Sequence, residues 1–183
     1  DTTALLAIDA EGNAVSLIQS VFSAWGSGVL SASTGVVFNN RMRGFGLEEG
    51  HPNELASGKR PMHTLHNYIV TSVPDLPLAG EASGPPHRQP QTNVQVLDAV
   101  LRRGADPQDA LDAARWALDT DGSLYAESRT PDSLGEALRA EGLAFEPLAA
   151  WDGWTGRACL AVLTGGGIAA AHDLRGEGLA IVG

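Results

Sequence analysis

The first twenty residues, DTTALLAIDAEGNAVSLIQS, leave the chain little choice about how it begins. Residues 3–9 (TALLAID) and 14–21 (AVSLIQSV) are short, largely apolar runs bounded by turn residues, which suits two strands. Between the runs stands Glu11-Gly12-Asn13, where glycine and asparagine tolerate the positive φ of a tight reversal. A β-hairpin is expected, and it would place the Thr2 hydroxyl at the edge of a sheet.

Beyond the hairpin the pattern reads as α+β. VVFNN is expected as a strand within the glycine-punctuated stretch 26–50, residues 51–61 as loop, and 65–73 (LHNYIVTSV) as another strand. Residues 73–91 carry five prolines and no period, and read as an irregular connection. Helices are expected from Thr92 to Gly104, from the Asp106 cap with Pro107 in the first helical position through DALDAARWAL, and from Thr130-Pro131 to Gly142. The chain end reads as two or three strands joined by glycine turns. Strands, then helices, then strands suggest a layered domain, single over residues 1–183.

Charge narrows the partners. The net charge is −10, and the one lysine, Lys59, and eleven arginines form no Lys/Arg-rich run that would overcome repulsion from nucleic acid or an anionic membrane. No run approaches the roughly 18 apolar residues of a membrane span, and a cytoplasmic location is expected, any signal lying upstream. Cys159, in ACLAVL, is expected to be a buried structural thiol. His63 and His66 stand three apart without an evident third ligand, so neither metal nor cofactor is expected.

A free N-terminal threonine can supply both nucleophile and base, its hydroxyl attacking a carbonyl while its α-amine accepts the proton. TTALLAIDAEGNAVSLIQS, followed in order by WGSGV, GVVFNNRMRGF, HPN, GKRP and DALDAARW, resembles the small catalytic subunit of the γ-glutamyltranspeptidase-like family of N-terminal-nucleophile hydrolases. The resemblance covers nearly the whole chain. It implies the small-subunit half of a four-layer αββα sandwich, and a precursor that cuts itself before threonine to give a large-subunit partner. By position Thr2 is the nucleophile, Asp1 the last residue before the cut, and Ser20 the hydroxyl that holds the nucleophile. While Asp1 remains bonded to Thr2, the amine is locked in an amide and the mechanism is not armed.

The same resemblance exposes departures. Phe22 replaces a polar asparagine of the substrate pocket. Gly44 replaces the aspartate that holds the substrate's α-ammonium, and His63-Thr64 replace a serine pair that binds its α-carboxylate. The paired glycines of the oxyanion hole fall on Pro85 and Pro86, which have no N–H, leaving Gly84, His87 or Arg88 to contribute. Asn39 and Asn40 are expected to satisfy backbone groups around the pocket, with a ligand contact from Asn40. Arg41 and Arg43 are either solvated charges or a source of positive potential for an anionic substrate. Trp151 and Trp154 are expected to pack.

These departures imply a small-molecule substrate other than a standard γ-glutamyl peptide. Divergent relatives in 4-alkylproline antibiotic pathways suggest hydrolytic C–C cleavage of a dicarbonyl intermediate. Conventional γ-glutamyl hydrolysis or transfer, and a non-catalytic binding or assembly role, stay open as alternatives.

Overall fold

The computed structural model describes residues 2–71 and 78–183. Asp1 and residues 72–77 lie outside the described residues, and with them the far side of the expected cleavage junction and the end of the strand expected at 65–73. The chain gathers into two compact units: Thr2, Thr3 and residues 18–64 form one, and residues 4–17 with 65–183 form the other.

The hairpin forms as expected from two short apolar runs about a glycine turn. Strands β1 (Thr2–Ile8) and β2 (Ala14–Ser20) pair, and burial alternates residue by residue along both. Asp9 closes the turn: its Oδ1 accepts from the Glu11 and Asn13 amides at 3.0 and 2.8 Å, and its Oδ2 from Asn13 Nδ2 at 2.7 Å. Gly12 completes the reversal with φ +83°, a conformation closed to most L-residues. The Asn13 bonds above all hold the Asp9 carboxyl below its usual range.

In the first unit, residues 21–64 are built largely of turns. VVFNN does not become a strand; Val37 makes an isolated antiparallel bridge to Leu30 and nothing longer. The chain reverses too tightly for a ladder there, with Gly26, Gly28 and Gly35 all at positive φ. Next comes a short 3-10 turn over Arg41–Gly44.

The elements of the second unit run β3 (His66–Val70), β4 (Leu78–Ser83), α1 (Gln89–Leu97), α2 (Pro107–Asp112), β5 (Trp116–Leu118), β6 (Leu124–Glu127), α3 (Asp132–Ala140), β7 (Phe145–Leu148), β8 (Arg157–Thr164) and β9 (Gly167–His172). An antiparallel sheet in the order β3-β4-β8-β9 forms its centre, and β5-β6-β7 form a smaller sheet. Helix residues Val96, Ala99, Val100 and Leu111 pack with Leu78, Ala82, Leu160 and Val162 of the central sheet in the main core. The middle of the hairpin is tied to this sheet as well: Ser16 Oγ donates to the Gly80 carbonyl at 3.2 Å, and Asn67 Nδ2 donates to the Ser16 carbonyl at 2.7 Å. Helix, sheet and second β layer thus belong to one unit, in agreement with the expected α+β layering.

Three expectations need correction here. The connection expected to be irregular contains β4, a central strand whose Leu78, Ala79 and Ala82 are wholly buried. Helix α1 starts at Gln89, three residues before Thr92, and passes into a π-turn over Asp98–Arg102. The second helix ends at Asp112, and Trp116–Leu118 of the expected helix form β5 instead. The Asp106 cap is present, its carboxylate accepting from the Gln108 amide at 2.8 Å.

A buried ionic cluster stiffens this unit. Arg115 Nη1 lies 2.6 Å from Asp173 Oδ2, and Arg175 bonds both Asp173 Oδ1 at 3.0 Å and Glu127 Oε2 at 2.9 Å. Charges this deep are tolerable only when each is paired and hydrogen-bonded.

Candidate active site

Thr2 opens β1 and Ser20 closes β2, so the hairpin brings its first and last strand residues to one end. There the Thr2 Oγ1 hydroxyl donates to Ser20 Oγ at 3.0 Å. Ser20 Oγ also accepts the Phe22 amide at 2.9 Å, which fixes the acceptor in place. Phe22 adopts φ +76°, a left-handed conformation that costs a non-glycine residue of this size on the order of 1–3 kcal/mol. Such strain persists only where the surroundings impose it, and here it lies two residues from Ser20.

The turn after Asn39 supplies the next group. Asn39 Oδ1 accepts the Arg41 amide at 3.0 Å, and Asn40 Oδ1 accepts the Ser23 amide at 3.0 Å. Both asparagines therefore satisfy backbone groups, and no ligand contact of Asn40 is needed to explain its place. The Arg41 guanidinium stacks over the Phe22 ring, 5.5 Å from its centroid, and Nη1 donates to Thr64 Oγ1 at 2.5 Å. Thr64 is buried, whereas its neighbour His63 is exposed. Arg43 Nη1 donates to Ser23 Oγ at 3.2 Å. Gly44 ends the 3-10 turn with its carbonyl accepting Asn53 Nδ2 at 2.5 Å, and a Cβ built on it would meet nothing within 4 Å. Space for a side chain exists where the resemblance has an aspartate.

Gly84, His87 and Arg88 belong to the second unit. Gly84, at φ +136°, accepts Gln89 Nε2 on its carbonyl at 2.7 Å, and Pro85 and Pro86 offer no N–H. The side chains of His87 and Arg88 turn to Asp119: His87 Nε2 is 3.0 Å from Oδ1 and Arg88 Nη2 is 2.9 Å from Oδ2. Arg88 also donates to the Trp154 carbonyl at 3.1 Å and lies flat on the Trp154 ring at 3.3 Å. The Thr120 amide first, and then Arg88 and His87, hold the Asp119 carboxyl below its usual range. Trp154 meets Tyr125 at 4.4 Å and Trp151 carries Arg129 at 3.6 Å, so both tryptophans pack.

Sequence reasoning missed what secures the Gly84 loop. Gln89 bridges the Gly84 carbonyl to His66 Nδ1, the latter at 3.1 Å, and Asn93 Nδ2 donates to the His66 carbonyl at 2.6 Å. A glutamine and an asparagine four apart in QPQTN, on one face of a helix, were the available signal. It also missed Glu81, buried beside Cys159, whose Sγ donates to Glu81 Oε1 at 3.5 Å. Burial pushes the Glu81 carboxyl up to about 7 and the Cys159 thiol up to about 12, an inert thiol, although Cys159 is half-buried where a buried one was expected. Among the described residues, no three His, Cys, Asp or Glu side chains are grouped to hold a metal ion, and no helix is long and apolar enough to cross a membrane.

The likeness to known proteins extends over the same residues. The family model described as Gamma-glutamyltranspeptidase matches residues 1–183. The Glutathione hydrolase-like YwrD proenzyme of Bacillus subtilis is 35% identical over 99% of this chain and 35% of its own length. The Oxamate amidohydrolase proenzyme of Klebsiella pneumoniae is 34% identical over 81% of this chain and 29% of its own length. The chain thus spans about a third of the length of these curated relatives. Among solved structures, a chain of Gamma-glutamyltranspeptidase from Pseudomonas nitroreducens superposes with a TM-score of 0.81 at 25% identity, covering 98% of both chains. The layers described above are accordingly those of the αββα N-terminal-nucleophile hydrolase fold, and the chain belongs to the gamma-glutamyltranspeptidase family.

Proposed function

We propose that this chain is the catalytic part of a hydrolase that attacks a carbonyl of a small anionic substrate with the Thr2 hydroxyl. The observation that carries this reading is the 3.0 Å bond from Thr2 Oγ1 to a Ser20 Oγ that the Phe22 amide holds still. A hydroxyl seated on a fixed hydrogen-bond partner keeps its oxygen, and so its line of attack, in a defined place. Cleavage of the Asp1–Thr2 bond frees the α-amine, which takes the hydroxyl proton as the new C–O bond forms. The tetrahedral intermediate then expels its leaving group, which receives that proton, and water hydrolyses the resulting ester to restore Thr2.

Amide cleavage is supported by the names of the relatives, a glutathione hydrolase-like protein and an oxamate amidohydrolase. Their designation as proenzymes, with the one-third span of this chain, supports a large subunit from the same precursor as its partner. Gly44 has no side chain to meet an α-ammonium, Phe22 has no polar end, and Thr64 is committed to Arg41, so γ-glutamyl recognition is diverged. Hydrolytic C–C cleavage of a dicarbonyl intermediate in 4-alkylproline antibiotic biosynthesis is the finer form of this reading. It needs the same attack, with an enolate as leaving group.

The test pairs N-terminal sequencing with turnover. Protein beginning at Thr2 is incubated with oxamate, a synthetic 2,4-dioxo acid and γ-glutamyl p-nitroanilide. Release of ammonia or of a carbon fragment, absent from Thr2→Ala protein, is expected; a processed protein inert toward all three counts against the reading.

A further inference from the structure

The guanidinium of Arg41 is only half satisfied. Nη1 donates to Thr64 Oγ1, but Nη2 is buried and has no hydrogen-bond partner among the described residues. A buried donor left unpaired is costly, and more so on a cation, so such a group in a native fold needs an explanation. Its neighbour Arg43 shows the contrast, exposed and bonded to Ser23.

Arg41 is also held with unusual care. Its amide is fixed by Asn39, its Nη1 by Thr64, and its face by the ring of Phe22. Phe22 in turn pays for its left-handed backbone and gives its amide to Ser20, the acceptor of the Thr2 hydroxyl. One residue therefore connects the cation's seat to the hydroxyl pair, and all six residues lie in the same unit.

We propose that Arg41 is the seat for a carboxylate on the acyl side of the substrate's scissile bond, with Thr64 as the positioning residue that aims it. Nη2 would donate to the carboxylate in a charge-assisted hydrogen bond of the kind guanidinium forms best. A cation backed by an aromatic wall repels an ammonium, so the substrate class is an acyl donor that bears a carboxylate and no neighbouring ammonium. This rests on the Thr2 reading above for the location of the scissile bond, but the seat itself is a binding site and can be tested without turnover.

The test measures binding by calorimetry to Thr2→Ala protein assembled from the two subunits expressed as separate chains, since the variant cannot cut its own precursor, with oxamate and its neutral isostere oxamide as probes. Oxamate is expected to bind about tenfold or more tightly than oxamide. Arg41→Met should remove that preference; Thr64→Val should weaken it, and Thr64→Ser should restore it, which a merely structural role for Thr64 does not require. Equal binding of the two probes when Arg41 is intact overturns the proposal, whether or not the Arg41 variant folds, as does a preference that survives Arg41→Met. An oxamate preference dependent on Arg41, in a protein that turns over nothing, upholds the seat and overturns the hydrolase reading alone.

Discussion

Thr2 donates its hydroxyl proton to Ser20 across the end of a hairpin whose strands they begin and finish, at 3.0 Å. Eighteen residues of sequence separate them. The contact comes from the hairpin: Asp9 and Gly12 set the reversal, and the alternating faces carry both hydroxyls inward to the half-buried side.

Removing the acceptor should cost rate without removing the nucleophile. Ser20→Ala is expected to lower kcat by about tenfold, the worth of one hydrogen bond of roughly 1–1.5 kcal/mol, while Ser20→Thr retains most activity. Steady-state kinetics on processed protein distinguish the two.

Gly44 offers a gain of function. Because a Cβ there meets nothing within 4 Å, Gly44→Asp should fold normally. An aspartate would give an α-ammonium its missing partner, and KM for γ-glutamyl p-nitroanilide should fall by about tenfold. An unchanged KM in a folded variant would show that ammonium recognition is blocked elsewhere.

How much of this was legible in the chain depends on where the information lay. The hairpin was legible because two short apolar runs about Gly12-Asn13 are local signals. Strand β4 was not: Leu-Ala-Gly-Glu-Ala-Ser has little β propensity, and it becomes a strand because β3 and β8 flank it. Trp116–Leu118 looked helical because they continue an alanine-rich helix, yet Leu118 and Trp116 bond across to Gln91 and Gln95 of α1 and pair with β6. At the site, Thr2 and Ser20 were readable through family resemblance. The tie from Arg41 to Thr64 was not, since it joins residues 23 apart through loops with no periodicity.

Gly80 should be the least replaceable residue of β4. A Cβ there would run into the Tyr68 hydroxyl and ring on the neighbouring strand. Gly80→Ala is expected to destabilise the protein by about 2 kcal/mol or more, read as a lower denaturant midpoint at unchanged slope.

Glu81 should make stability depend on pH. Its carboxyl is raised by burial from 4.5 to about 7, so the folded state binds more protons than the unfolded chain across that window. Stability from this group is therefore complete below the lower value and is lost as pH rises toward and through the upper one. Glu81→Gln, which keeps a neutral side chain at every pH, should be more stable than the parent by about 3 kcal/mol near pH 8 and similar near pH 4. Chemical denaturation at both pH values checks it.

The central claim is that Thr2 forms a covalent ester with the substrate's acyl group. Processed protein mixed with a turned-over substrate and quenched within one turnover should gain the mass of that acyl group, and fragmentation should place it on Thr2, with none on Thr2→Ala protein. An adduct on another residue, or turnover that persists undiminished in Thr2→Ala, would contradict the account.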